Sequence, residues 1–246
     1  LGRVAMLWGA ALGPIAAVTD CAFLVAFAAV IWREVLAGRN WRNLPVCVLV
    51  TLFALANVAF HLPFGAAGDF AVRLALGVVT VLIGLIGGRI VPSFTRNWMK
   101  ARALAPEPSL FGVIDQVVLG LTIVGASLWV IAPQAAVTGA ALALAGAGHF
   151  VRLARWRGWR AVAEPLVWIL HCGYAWLGAG LLLLGGAVLN PGLVPRTAGI
   201  HALTAGAVGV MTLAVMTRAT RGHTGRPLAA GPATAAIYLA INAAAL

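Results

Sequence analysis

The chain has 246 residues, 62% hydrophobic and 9% charged, with 17 Lys or Arg against 6 Asp or Glu and a mean hydropathy of +1.00. Soluble domains carry about 25% charged residues, so this composition excludes one. The formal net charge of +11 is unaccompanied by a basic tail or an RNA-binding aromatic motif. No nucleic-acid partner is expected, and in so apolar a chain the basic residues mark cytoplasmic loops.

Eight apolar runs, at 12–32, 44–62, 69–90, 112–132, 135–152, 165–188, 198–217 and 229–246, are long enough to cross a bilayer. Hydrocarbon forces the backbone to satisfy itself internally, so each reads as a helix. The predicted fold is all-α, a polytopic transmembrane helix bundle forming one domain over 1–246. The first residue is leucine and no signal peptide precedes the first span. The chain therefore reads as a fragment lacking its start, with residues expected beyond Leu246 as well.

Lys and Arg set the orientation. The first connection holds Arg33, Arg39 and Arg42, and the second none. The third holds Arg96, Lys100 and Arg102, with Arg89 at its edge, and the fourth, around Pro133, none. The fifth holds Arg152, Arg155, Arg157 and Arg160, the sixth Arg196 alone, and the seventh Arg218, Arg221 and Arg226. This alternation places the basic loops in the cytoplasm and the start of the chain outside. Thr95–Ser109, with Pro106 and Pro108, reads as an ordinary cytoplasmic loop.

Small residues let transmembrane helices approach closely. Gly84/Gly87/Gly88, Gly178/Gly185 and Gly206/Gly209 are therefore read as helix contacts, though the same residues would also admit a flat cofactor. Cys21, Cys47 and Cys172 are scattered, without CxxC or CxxCH, which argues against a disulfide framework, a zinc knuckle and covalently attached haem.

An ionisable group at membrane depth needs a partner or a role. Asp20, two turns into the first span, is either a hydrogen-bonded acid or a proton or cation contact. Asp69 and Arg73, spaced i,i+4, are expected to pair. Asp115 has Arg89 and Arg96 as candidate partners.

The histidines fall into an outer pair, His61 and His201, and an inner group, His149, His171 and His223. Imidazole is the commonest metal ligand and a haem axial ligand. Asn57, four residues before His61, is placed to orient its ring. Arg196, five residues before His201, lies where a haem propionate would want a cation. Beyond His201 the face continues through Thr204, Ala205, Val208 and Thr212, small enough for a porphyrin. His149 reads as an interfacial polar residue. His171 is followed by Cys172, and Met211 and Met216 lie toward the inner side of the seventh span. Thiolate and thioether suit copper(I), although methionine in an apolar helix is usually filler. The loop Gly222–Pro227, GHTGRP, offers amides to an anion but lacks Walker spacing, and its plainer reading is a capped turn.

The stretches Ala56-Asn57 to His61-Leu62, Gly87–Pro92 with Phe94–Asn97, and Pro165–His171 with Tyr174 resemble the NnrS family. So do His201–Thr204, Met211–Arg218 and Gly222–Pro227, which form the longest and most specific block. The resemblance implies an inner-membrane protein of bacteria with about twelve spans, containing haem and copper and linked to denitrification and nitric oxide stress. It implies a non-covalent haem b, copper, and nitric oxide or a related small ligand. His61, His201, His171 and His223 fall within the matching stretches, and their ligand roles are assigned from depth and chemistry. The competing reading is a transporter or permease for copper or a small solute, using Asp20 and the histidines as a pathway. Against it stand the lack of repeats and the scarcity of acids at mid-membrane.

Overall fold

The computed structural model describes residues 2–7, 13–62 and 67–246. Of the described residues 82% are helical, and none lies in a strand. Among the described residues seven helices are long and apolar enough to cross a membrane, which makes this a multi-pass membrane protein. The predicted start of the first span, residue 12, lies outside the described residues. Contacts divide the chain into two units, Leu1–Leu82 and Ile83–Leu246.

The first unit contains α1 (Gly2–Leu7), α2 (Pro14–Ala37), α3 (Leu44–Phe60) and α4 (Ala67–Leu82). Proline opens α2 and sits in the first turn of α3, where its missing N–H removes no helical bond. α2 and α3 are tied on the side of their connecting loop. Trp32 Nε1 donates to Thr51 Oγ1 at 2.9 Å, and that hydroxyl donates to the Cys47 carbonyl at 2.9 Å. The expected Asp69–Arg73 pair does not form. Arg73 Nε is buried and has no hydrogen-bond partner among the described residues.

The second unit begins with a π-helical turn, Ile83–Gly87, that continues into α5 (Gly88–Lys100). It continues with α6 (Val113–Ile131), α7 (Ala136–Arg155) and α8 (Pro165–Leu189). α9 (Arg196–His201) runs through a second π segment, Ala202–Val210, into α10 (Met211–His223), and α11 (Pro232–Ala244) follows. Two sequence expectations are corrected. The third span extends to Lys100, so Thr95–Lys100 is helix, not loop. Val91, Thr95 and Met99, spaced by four, are all buried along one face of it, and that stripe keeps a polar segment helical. The eighth span is a helix of only 13 residues. At 1.5 Å per residue it is shorter than the roughly 30 Å hydrocarbon layer.

α8 is the centre of the second unit, and no other candidate span has a larger share of residues buried. It is apolar around its whole circumference, the pattern of a helix enclosed on every side. Glu164 starts it, accepting from the Leu166 N–H at 3.1 Å and from the Ala230 N–H at 3.2 Å. Glycines let its neighbours in, as expected of Gly178, Gly185 and Gly206. A Cβ on Gly146 would lie 2.7 Å from the Gly178 carbonyl, and one on Gly185 would lie 2.6 Å from the Gly139 carbonyl. α7 and α8 thus touch backbone to backbone. Lipid offers no hydrophobic drive for this pairing, so close packing supplies it.

Candidate functional site

In the first unit Asp20, from α2, meets Asn57 and His61, from the end of α3. Asn57 Nδ2 donates to Asp20 Oδ2 at 3.2 Å, and His61 Nε2 lies 3.2 Å from the same oxygen. A carboxylate accepts, so Nε2 carries a hydrogen, and in the neutral ring Nδ1 keeps its lone pair. The side chains of Asp20 and His61 are 10% and 12% exposed. The acid and imidazole are therefore mutually satisfied, and Asn57 acts on the ring through Asp20. Cys21 Sγ closes the group with a contact of 3.6 Å to Asn57 Oδ1, and the Phe60 ring meets His61 edge-on at 5.6 Å.

Beside this group is a cavity of about 880 Å³, lined by Asp20, Asn57 and Thr19 among mostly apolar residues that include Phe23, Phe53 and Phe60. Ligand sites have this character, an apolar concavity with a few convergent polar groups.

In the second unit the histidine dismissed as interfacial is the buried one. His149 is 0% exposed. Thr122 has one hydroxyl hydrogen, and it goes to the Val118 carbonyl at 2.7 Å. The hydroxyl must then accept from His149 Nε2, 3.0 Å away. In the neutral ring Nδ1 accepts from the Tyr174 hydroxyl at 2.9 Å. Tyr174 also accepts from Arg152 Nη1, and Arg152 Nη1 donates to the Gly84 carbonyl of the first π turn at 3.0 Å. Arg152 Nε donates to Asp115 Oδ1 at 2.8 Å, and Arg155 Nη1 to Asp115 Oδ2 at 3.0 Å. Asp115 also accepts from the Gly112 N–H at 3.0 Å, holding the start of α6.

Asp115 is thus paired with Arg152 and Arg155, not with Arg89 or Arg96. Arg96 turns instead to the Pro108 carbonyl at 3.0 Å and to Glu107 at 3.4 Å. Arg152, read as a loop residue, is fully buried, and its Nη2 has no hydrogen-bond partner among the described residues. The sequence carried a signal for this. His149 and Arg152 are spaced i,i+3 on one face, at the same end of the span as Asp115 on the preceding one.

His171 resembles His149 in its bonding. Thr95 Oγ1 donates to the Val91 carbonyl at 2.8 Å and so accepts from His171 Nε2 at 2.8 Å. The rest of the ring packs on Gly158, where a Cβ would collide with it. Trp156 lies edge-on to both His171 and Tyr174, with centroids at 6.5 and 4.6 Å.

The remaining residues singled out in the sequence are more dispersed. Cys172 is half-buried, and Met211 is buried at 7% while Met216 is 59% exposed. His223 ends α10 and is exposed. The loop after it folds back on the helix, with Arg221 Nε donating to the Pro227 carbonyl at 2.9 Å and Thr224 Oγ1 to the Thr220 carbonyl at 2.8 Å. This is the capped turn. Among the described residues no three His, Cys, Asp or Glu side chains converge as a metal site. His201 is exposed, and Arg196 sits over the Trp129 ring at 5.9 Å. His61 belongs to the first unit and His201 to the second.

A polytopic helical membrane protein that buries imidazoles against carboxylate, hydroxyl and phenol is the class this fold and these sites define. The family described as NnrS protein matches residues 1–246, the whole chain. The chain belongs to the NnrS family. Comparison with curated proteins and with solved structures finds no match.

Proposed function

We propose that this chain is part of a haem- and copper-containing protein of the bacterial inner membrane that acts in the nitric oxide response. On this reading it binds nitric oxide or passes electrons at a haem held between helices. Family membership supports the setting, and one observation supports the metal. Asp20 stands behind His61, the arrangement in which a carboxylate fixes the tautomer and orientation of a ligating imidazole.

The fit can be tested nitrogen by nitrogen. With Nε2 on Asp20, His61 offers Nδ1, close to its own backbone. A small ion such as copper reaches that atom directly, whereas a haem iron would need Nε2 and the loss of the Asp20 bond. His201 carries no such restraint, since its ring makes no hydrogen bond among the described residues, and Arg196 lies one turn earlier for a propionate. In His171 Nε2 is on Thr95 and Nδ1 packs on Gly158, so a metal there would need one of these contacts released; with Cys172, Met211, Met216 and His223 it is the second candidate for copper. Haem would supply a redox-active iron able to bind a diatomic gas. The basic loops are assigned to the cytoplasm on their charge.

The test is the reduced-minus-oxidised absorption spectrum of the full-length protein with its copper content, beside His61→Ala and His201→Ala. A b-type signal shifted or abolished by either substitution supports the reading. A protein free of haem and copper despite ample supply overturns it.

A further inference from the structure

We propose that two basic loops, 38–43 and 156–164, each bind the headgroup of an anionic phospholipid, with two arginines on its phosphate and a tryptophan beside it. The inference is independent of haem and copper.

The two loops repeat one pattern. Arg39-Asn40-Trp41-Arg42 and Arg157-Gly158-Trp159-Arg160 carry arginine, tryptophan and arginine at i, i+2 and i+3. Each includes a 3-10 turn, Trp41–Asn43 in the first and Gly158–Ala161 in the second. In each the first arginine has a left-handed backbone, with φ of 48° at Arg39 and 54° at Arg157. That conformation favours glycine. Gly38 and Gly158 stand next to these positions, yet arginine occupies them.

The side chains are available. Trp41 and Trp159 are each 59% exposed, Arg39, Arg42 and Arg160 are exposed, and Arg157 is half-buried. Each loop is short and fixed at both ends to a span, α2 and α3 for the first and α7 and α8 for the second. Such a loop lies in the headgroup layer, the depth at which tryptophan gathers and lipid phosphates stand.

The counter-charge has to come from outside the chain. All six Asp and Glu are among the described residues, and no ion pair joins any of them to these four arginines. Glu34, the acid nearest the first loop in sequence, is on Arg33 at 2.8 Å. Glu164, at the end of the second, accepts from the Leu166 and Ala230 N–H groups. A third Arg-Asn-Trp, at 96–98 in α5, shows what the triplet holds when the chain supplies an anion. There Arg96 Nε lies 3.4 Å from Glu107, and Arg102 covers the Trp98 ring at 4.1 Å. In the loops a lipid phosphate takes the place of Glu107, since guanidinium forms paired, charge-assisted bonds with phosphate. A zwitterionic headgroup brings its own cation, which the arginines repel, so the sites select lipids of net negative charge.

The experiment titrates the full chain in nondenaturing detergent with phosphatidylglycerol or phosphatidylcholine of identical acyl chains, and native mass spectrometry counts the lipids retained. The wild type is expected to keep two more phosphatidylglycerols than a variant with all four arginines changed to glutamine. Arg39→Gln with Arg42→Gln should weaken one of these lipids about ten-fold or more, and Arg157→Gln with Arg160→Gln the other. Lys100→Gln with Arg102→Gln removes equal charge elsewhere and should leave both in place. Equal retention of the two lipids, an equal loss in the Lys100 and Arg102 variant, or wild-type retention in the folded four-fold variant would each overturn the proposal. Displacement by inorganic phosphate at the concentration of the lipid would also overturn it, by making the site one for free phosphate. Preparations lacking haem and copper are expected to retain the lipids equally, so this result and the metal result stand apart.

Discussion

Arg152 and Asp115 form a direct ion pair, Nε to Oδ1 at 2.8 Å, with side-chain exposures of 0% and 2%. Arg152 also lies over the Trp156 and Tyr174 rings at 5.1 and 5.6 Å. The pair joins α6 to α7, and through Tyr174 and Gly84 it reaches α8 and the first π turn. Charges so placed cost much in desolvation, and removing one partner leaves the other uncompensated. Arg152→Ala and Asp115→Ala should each destabilise by about 3–5 kcal/mol. The double change Asp115→Leu with Arg152→Met should recover much of that loss. Thermal unfolding in detergent reads both, and single variants that melt with wild type would show that the pair does not hold these helices.

Gly88 is the position where the guanidinium and a backbone come closest. A Cβ there would collide with Arg152 Nη2, a buried atom with no hydrogen-bond partner among the described residues. Gly88→Ala should therefore lower the melting temperature. Combined with Arg152→Met, the two changes should be non-additive by about 0.5–3 kcal/mol. Additive losses would separate the glycine from the arginine.

Tyr174→Phe removes one hydroxyl from two buried groups, His149 Nδ1 and Arg152 Nη1. Each buried group left unsatisfied costs about 1–3 kcal/mol. Thr122→Val should cost a similar amount, because it leaves the His149 Nε2 hydrogen unpaired. If Thr122→Val is neutral while Tyr174→Phe is not, the tautomer assigned to His149 is wrong.

Asp20 bears on metal binding through His61. If His61 ligates, Asp20→Asn should weaken the metal by about 10–100-fold, and His61→Ala should weaken it at least as much. Copper titration of the wild type and of both variants reads this effect. Unchanged affinity in Asp20→Asn would remove His61 from the list of ligands.

Sidedness is open to a direct check. In intact cells, Asn190→Cys should react with a membrane-impermeant maleimide, and Ser109→Cys should react only after permeabilisation. The reverse pattern would invert the topology assigned from the arginines.

The sequence alone determines the helices of this protein and where most of them end. Hydrocarbon demands long apolar runs, and proline at Pro14, Pro45 and Pro165 marks helix starts for a local steric reason. It also marks the backbone contacts, because glycine within an apolar helix has few uses besides close approach. Asn57 beside His61 is readable as a pair, since four residues make one helical turn.

The partners across helices are decided only in the tertiary structure. Asp115 had Arg89 and Arg96 as its candidate partners in the sequence, and the i,i+3 spacing of His149 and Arg152 places Arg152 at the right depth without selecting it; the packing of α6 on α7 does that. Asp20 and His61 are 41 residues apart, so their meeting depends on how α2 and α3 pack. His149 looks interfacial along its own helix and becomes buried because Thr122 and Tyr174 close over it from two others. Thr95 shows the same dependence, since a polar stretch stays helical only because one face of it is covered. Local chemistry sets each helix and its polar positions, while the packing of glycine-lined faces selects which of those positions meet.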